Sequence, residues 1–261
     1  MVNIFCNMSK KNRIFLIVFI CVIFVSAVAV VVRSCRIKAD AKERISKTIE
    51  DDSPFRGETI TYDIKMGGVN LGKAVFQHMA SAEINGKLLS KASFETNLAR
   101  FKDTEIIYSD PKTFLPVKID RDIVNWFSRE KITEDYDQEN FKVTITKYNG
   151  SKQNKLVIQK DSVIQNAILL PHSVRRVGKL DPGYIFSVNL PNRKLQMKLV
   201  SLEDIKTGGG TFKAYHFESL PRQIEIWISA DENRIPIKMQ GVGAFGYLLV
   251  LKEYAFKLPK E

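Results

Sequence analysis

The sequence predicts an all-β fold: a mostly antiparallel curved sheet or open β-barrel, preceded by an N-terminal membrane helix and carrying one short helix of its own. Three observations lead there. From Gly57 onward, short stretches alternate apolar and polar side chains and stop at turn residues such as Asn85-Gly86, Asn149-Gly150 and Gly208-Gly209-Gly210. One strand–turn–strand unit occurs twice, 120 positions apart. Hydrophobic residues make up 44% of the chain, enough for a sizeable core, and the length of 261 residues allows one large β-domain or two small ones.

The repeated unit is clearest in Arg222–Gly241, RQIEIWISADENRIPIKMQG. Ile224, Ile226 and Ile228 alternate with Glu225, Trp227 and Ser229, the period-two pattern of a strand with one mostly apolar face. Ala230–Arg234 supplies the Asp, Glu and Asn of a turn, after which Ile235, Ile237 and Met239 alternate with Pro236, Lys238 and Gln240. In the earlier copy Glu105, Ile106, Ser109, Pro116 and Lys118 stand where Glu225, Ile226, Ser229, Pro236 and Lys238 stand in the later one, so the unit occupies 104–120 and 224–240. Strict alternation predicts that Ile226 and Ile228 face the same enclosed side as Ile235 and Ile237, and that both prolines fall near strand starts, where a missing N–H costs least.

In chain order, residues 1–13 form a basic N-terminal region and 14–32 a membrane segment. Residues 33–54 form a charged linker, and 55–258 the β-rich domain. Ile14–Val32 has Ser26 as its only clearly polar side chain and nearly spans a hydrocarbon core of ~30 Å. It suits an uncleaved signal anchor. Ala27-Val28-Ala29 also has the small-x-small spacing of a cleavage site, and Val32-Arg33-Ser34-Cys35 resembles a lipobox, with Arg33 where a small uncharged residue belongs. Basic residues flank the segment on both sides, so charge alone does not orient it.

Roughly 12 strands are expected in the domain. They start at Glu58–Met66 and Gly72–Ala82 and close with Phe245–Phe256. One helix is expected from a cap at Asp161 or Ser162 through Val163, Ile164, Ala167, Ile168 and Leu170, ended or kinked by Pro171.

Several function classes are disfavoured. The net charge of +11 falls to +5 once the six basic residues of 1–38 are set aside, and no nucleic-acid-binding motif accompanies the remainder. Cys6, Cys21 and Cys35 all lie in or beside the membrane segment. His78, His172 and His216 are scattered and none sits at ligand spacing, so no metal and no cofactor is expected. Ser128, Ser173 and Ser229 lack a nucleophile-elbow setting, and the recurrence of Glu105 and Glu225 suits a strand-face rule better than a catalytic pair. Trp126-Phe127 and Trp227 are expected in the core. With no catalytic motif, the chain is expected not to be an enzyme.

The segments PFRGETITYDIKMGGVNLGKAVF, SDPKTFLPVKI, LDPGYIFSVNL, TGGGTFKAYHF and IEIWISADENRIPIKM, in this order from Pro54 to Tyr254, resemble a family of bacterial exported proteins known as domain of unknown function 3108. The strand–turn–Pro–strand unit is also similar, at the level of pattern, to periplasmic lipoprotein-carrier half-barrels. These resemblances imply a bacterial inner-membrane protein with its C-terminal domain in the periplasm, or secreted there if the signal is cleaved. The expected role is non-enzymatic binding of an apolar or amphipathic ligand, such as lipid or an acyl chain, on the inner side of the sheet. Ile106, Tyr108, Val117, Ile226, Ile228 and Ile237 are the expected ligand-binding residues. The alternative is a structural or assembly module of an envelope complex.

Overall fold

The 160–184 segment decides the architecture, because it joins two strands that lie at opposite edges of one sheet. The computed structural model describes residues 55–150, 152–242 and 246–257. The membrane segment 14–32, the linker 33–54 and the three cysteines lie outside the described residues. The strands are β1 (Glu58–Met66), β2 (Val69–His78), β3 (Ala82–Ile84), β4 (Lys87–Leu98), β5 (Phe101–Ser109), β6 (Pro116–Asn125), β7 (Arg129–Asp137), β8 (Lys142–Asn149) and β9 (Lys152–Gln159). After the crossover come β10 (Ile185–Leu190), β11 (Arg193–Thr207), β12 (Gly210–Leu220), β13 (Ile224–Ser229), β14 (Pro236–Gly241) and β15 (Leu248–Phe256).

All belong to one 15-stranded sheet, in the order β10-β11-β12-β13-β14-β15-β1-β2-β4-β5-β6-β7-β8-β9, with β3 paired to β4. Each of these pairs is antiparallel, and β15 sits between β14 and β1, stitching the domain's end to its beginning. The sheet is open, with β9 and β10 as its two edges, rather than a closed barrel. It has more strands than expected, and β3 has no counterpart in the sequence reading.

Strands pack about 4.8 Å apart, so 14 of them laid flat would span roughly 60 Å. The sheet instead curves around its own crossover. Ile164 and Leu169 enter a first core with Ile60, Tyr62, Phe76, Ile107, Ile119 and Val143. Leu170, Val174 and Leu180 enter a second core with Val188, Met197, Phe217, Ile226 and Ile228.

The helix lies later than expected. It is α1 (Leu170–Val174), with Pro171 in its first turn rather than at its end. A proline fits there because the first-turn N–H groups need no helical acceptor. Residues 163–169 give up the helix because other partners take their N–H groups. Ile164 N donates to Gln138 Oε1 at 2.9 Å, Gln165 N to the Asn189 carbonyl at 2.8 Å, and Ile168 N and Leu169 N to Asn166 Oδ1. Among the described residues no helix is long and apolar enough to cross a membrane.

The two copies of the repeat form the β5–β6 and β13–β14 hairpins, and Pro116 and Pro236 open β6 and β14. Both turns are held by an aspartate: Asp110 Oδ1 accepts N–H bonds from Lys112 and Thr113, and Asp231 Oδ1 from Asn233 and Arg234. Phe114 (φ 57°) and Arg234 (φ 47°) occupy matching left-handed positions.

The expected facing of the later copy is corrected. Glu225–Ser229 is buried at every position, because β13 runs between the two cores. Ile226 and Ile228 join the second core, while Trp227, Ile235 and Ile237 join the first. A register shift between Trp227 and Ile228 re-aims the start of β14. Trp126 and Phe127 are also corrected: they project from the β6–β7 turn, 42% and 82% exposed.

Candidate functional site

The expected ligand-binding residues are not brought together. Ile226 and Ile228 are fully packed in the second core and Ile237 in the first. Ile106 and Tyr108 are half-buried and alternate with the buried Ile107, so they lie on the other face of β5. Val117 is half-buried. Ile106 lines an outward groove of ≈ 720 Å³ together with Lys102, Thr104, Asp122, Lys131 and Tyr148. The inner side expected to hold a ligand is occupied by the crossover.

What the sequence reading missed is a buried polar knot beneath that crossover. Arg175, just after α1, donates from Nη1 to Glu58 Oε2 at 2.6 Å and from Nη2 to Glu58 Oε1 at 2.7 Å. Both side chains are essentially inaccessible, at 2% and 1% exposure. The guanidinium also binds the Asn233 carbonyl and lies 3.9 Å from the centroid of Phe55. His78 and His172 complete the knot, their rings 5.3 Å apart, with His172 stacked on Phe76 at 3.9 Å.

The Nε2 of His78 and the Nδ1 of His172 make no hydrogen bond, and with Glu58 they form a group of metal-ligand type. The charges argue against a cation, because Arg175 holds both Glu58 oxygens and Arg176 adds a second positive charge nearby. The same surroundings keep both rings neutral. Burial, with help from Arg175, pushes His78 down to about 3, and burial pushes His172 well below the usual imidazole range.

That depression has a sign. A histidine neutral in the fold but free to charge once unfolded stabilises fully above about pH 6.5, and the contribution is lost as pH falls towards the folded value. Stability is therefore expected to drop between about pH 6.5 and pH 3, with a slope of up to ~1.4 kcal/mol per pH unit for each ring. Urea midpoints at pH 7, 5 and 4 measure it. His78→Gln should flatten the profile, and an unchanged slope would refute the assignment.

The crossover is fastened to both repeat turns. Arg176 Nη1 donates to the carbonyls of Pro111 (2.5 Å) and Lys112 (3.0 Å) in the first, and Arg175 binds Asn233 in the second. Arg234 returns the contact by donating to the carbonyls of Val177 and Gly178. Consecutive arginines thus grip two equivalent turns, giving the repeat a structural purpose.

A second charged group lies on β5–β7. Arg121 Nε donates to Asp103 Oδ1 at 2.9 Å and stands 3.4 Å from Glu105 Oε1. Burial pushes the Glu105 carboxyl up to about 8 against the pull of Arg121, and burial also raises Glu134, which accepts a 2.5 Å bond from the Tyr136 hydroxyl. Glu225 belongs to a different cluster on β13, so the two repeated glutamates do not form a carboxylate pair.

At one end of the sheet the β1–β2, β4–β5, β6–β7 and β8–β9 turns lie together, because antiparallel neighbours reverse at alternate ends. Phe127, Trp126 and Val69 (62% exposed) project there, and the Arg100 guanidinium lies over the Trp126 ring. Arg100, Lys102, Arg129, Lys131, Lys147 and Lys152 on these strand ends outnumber Glu95, Asp122 and Glu130.

These features define the class: an open, all-antiparallel sheet wrapped on its own crossover, with buried structural ion pairs and an aromatic, basic rim. The chain belongs to the family described as "Protein of unknown function (DUF3108)", which matches residues 61–251. Two solved structures are similar at low identity. One is a protein described as exported, with a YmcC-like fold, from Bacteroides fragilis NCTC 9343, 9% identical over 77% of this chain and 96% of that chain, TM-score 0.28. The other is described as a lipoprotein from Parabacteroides distasonis ATCC 8503, 11% identical over 77% of this chain and 95% of that chain, TM-score 0.27. None of the curated proteins matches the chain.

Proposed function

We propose that this is a non-enzymatic protein of the bacterial cell envelope, tethered through residues 14–32, whose exported domain contacts amphipathic lipid with its aromatic rim. The observation that carries the reading is the pair Trp126-Phe127, 42% and 82% exposed at a turn where the Arg100 guanidinium lies over the Trp126 ring and Arg129, paired with Asp122, opens the next strand. Aromatic rings favour the membrane–water interface, where the ring body is shielded and the polar edge stays wet, and nearby Lys and Arg are drawn to anionic headgroups. The crossover fills the inner side of the sheet, which favours lipid contact at the surface over an acyl chain held inside.

The full-length chain reconstituted into vesicles tests this. It contains two tryptophans, and Trp227 is 3% exposed, so quenching by brominated lipid reports Trp126. Quenching is expected in vesicles containing phosphatidylglycerol, lower in purely zwitterionic ones, and at least halved by Phe127→Asp. Absence of quenching in both vesicle types, or an unchanged signal in Phe127→Asp, would refute the reading.

The alternative role, an assembly module of an envelope complex, draws on the edge strand β9. It is exposed at every position except Ile158, and Leu156 and Val157 are 46% and 57% exposed. Among the described residues no strand pairs with its outer edge, the kind of edge to which an extended partner segment adds. Lys152 and Lys155 disfavour self-pairing and suit an acidic partner. Cross-linking from a photoreactive residue at Gln153, followed by mass spectrometry of the adduct, distinguishes a protein partner from lipid.

A further inference from the structure

We propose that His216, Glu218 and Glu225 form a site for a first-row divalent cation, with zinc the best fit. The site lies on the face of β12–β13 that carries Trp227. It goes beyond the membrane reading and does not depend on it.

The backbone register poses the question. Glu218 lies directly opposite Glu225 in the β12–β13 ladder. Like charges so placed destabilise a sheet unless cations neutralise them, and Arg222 Nη2, 2.7 Å from Glu225 Oε1 and 3.7 Å from Glu218 Oε1, supplies part of that neutralisation. His216 shares their face two residues along, is only 8% exposed, and its Nε2 makes no hydrogen bond. That nitrogen stands 3.3 Å from Glu225 Oε2 and 3.8 Å from Glu218 Oε1. In a tetrahedral zinc site with bonds of about 2.0–2.2 Å, neighbouring donor atoms are about 3.4 Å apart. One imidazole nitrogen and two carboxylate oxygens, all within 4.8 Å of one another, therefore approach the needed spacing.

The surrounding residues suit the role. The other ring nitrogen, Nδ1, has the Ser201 hydroxyl at 3.5 Å as its hydrogen-bond partner and Glu203 Oε1 at 3.4 Å beside it, polar neighbours of the kind that orient a metal-binding ring. Trp227 donates its indole N–H to that Glu203 oxygen and stacks on His216 at 4.1 Å and 11°. Arg222 donates to Glu225 Oε1, leaving Oε2 for the cation. Arg222, Lys238, which sits over Trp227, and Lys198, directly opposite Glu218 in the β11–β12 ladder, are cations close by and match the three carboxylates in number, so an ion here competes with them for the carboxylate oxygens. Glu218 is 28% and Glu203 41% exposed at the side chain, so an ion has a path in and a fourth position for water. In the Glu58–His78–His172 group, by contrast, Arg175 holds both carboxylate oxygens.

Zinc titrated into the detergent-solubilised full-length chain, followed by calorimetry, is expected to bind at one equivalent. Cobalt(II) should show visible bands of tetrahedral ligation and quench Trp227 fluorescence. His216→Ala and Glu225→Gln should each weaken zinc binding at least tenfold, and Glu203→Gln should weaken it about 10–100-fold through loss of ring orientation. If His216→Ala does not fold, the cobalt spectrum and the half-exposed Glu218→Gln provide the same readout. The proposal is overturned by absence of binding, by binding unchanged in Glu218→Gln and Glu225→Gln, or by nitrogen NMR showing a doubly protonated His216 ring that zinc does not alter. Lipid quenching of Trp126 should be unaffected by these variants, which separates failure here from failure of the membrane reading.

Discussion

Arg175→Met is expected to cost the folded state about 3–5 kcal/mol, among the largest single-residue effects in the chain. The substitution leaves the Glu58 carboxylate at 1% exposure without its bidentate partner, and a buried charge stripped of its counter-ion loses far more than the pair contributes when intact. It also frees the Asn233 carbonyl and the face of Phe55, so the crossover loses its hold on the later repeat turn. The double variant Glu58→Leu with Arg175→Met should recover most of the loss, because the unpaired charge is then gone. Urea denaturation of the detergent-solubilised chain compares the three. A cost below about 1 kcal/mol for Arg175→Met would mean that the knot does not hold the crossover down.

Ile226→Asp is expected to cost several kcal/mol, on the order of half of a typical domain's stability, because a carboxylate would enter the second core among Phe217, Met197 and Val188 without a partner. Lys238→Asp should cost about 1 kcal/mol through the lost contact with the Trp227 ring, which lies 3.8 Å from the ammonium. Chemical denaturation of both variants decides the order. If Lys238→Asp were the more damaging, β13 would not run between two cores as described.

Much of the strand content was legible because alternation is local. The pattern of Glu58–Met66 reads as a strand and buries as one, with Glu58, Ile60, Tyr62 and Ile64 facing in. The repeated turn was legible too, since Pro116 and Pro236 mark strand starts through the hydrogen bond that they cannot donate. The family resemblance rested on the order of such landmarks, and the family match covers residues 61–251.

The candidate sites were much less legible, for the same reason in reverse. Alternation tells which side chains share a face but not what covers that face. It therefore could not show that β13 is buried on both sides, or that Trp126 and Phe127 stay in the open. Glu58 and Arg175 are 117 residues apart, and His78 and His172 meet only because the crossover passes over β1 and β2. In the same way Glu203, His216 and Glu225 lie on three strands, and their juxtaposition depends on register. By itself the sequence determined where the chain extends, where it turns and what it repeats, because steric and hydrogen-bonding rules act over a few residues. Tertiary structure alone decided which charges are buried together and which face is filled, because those follow from the route of one crossover from β9 to β10 across the whole sheet.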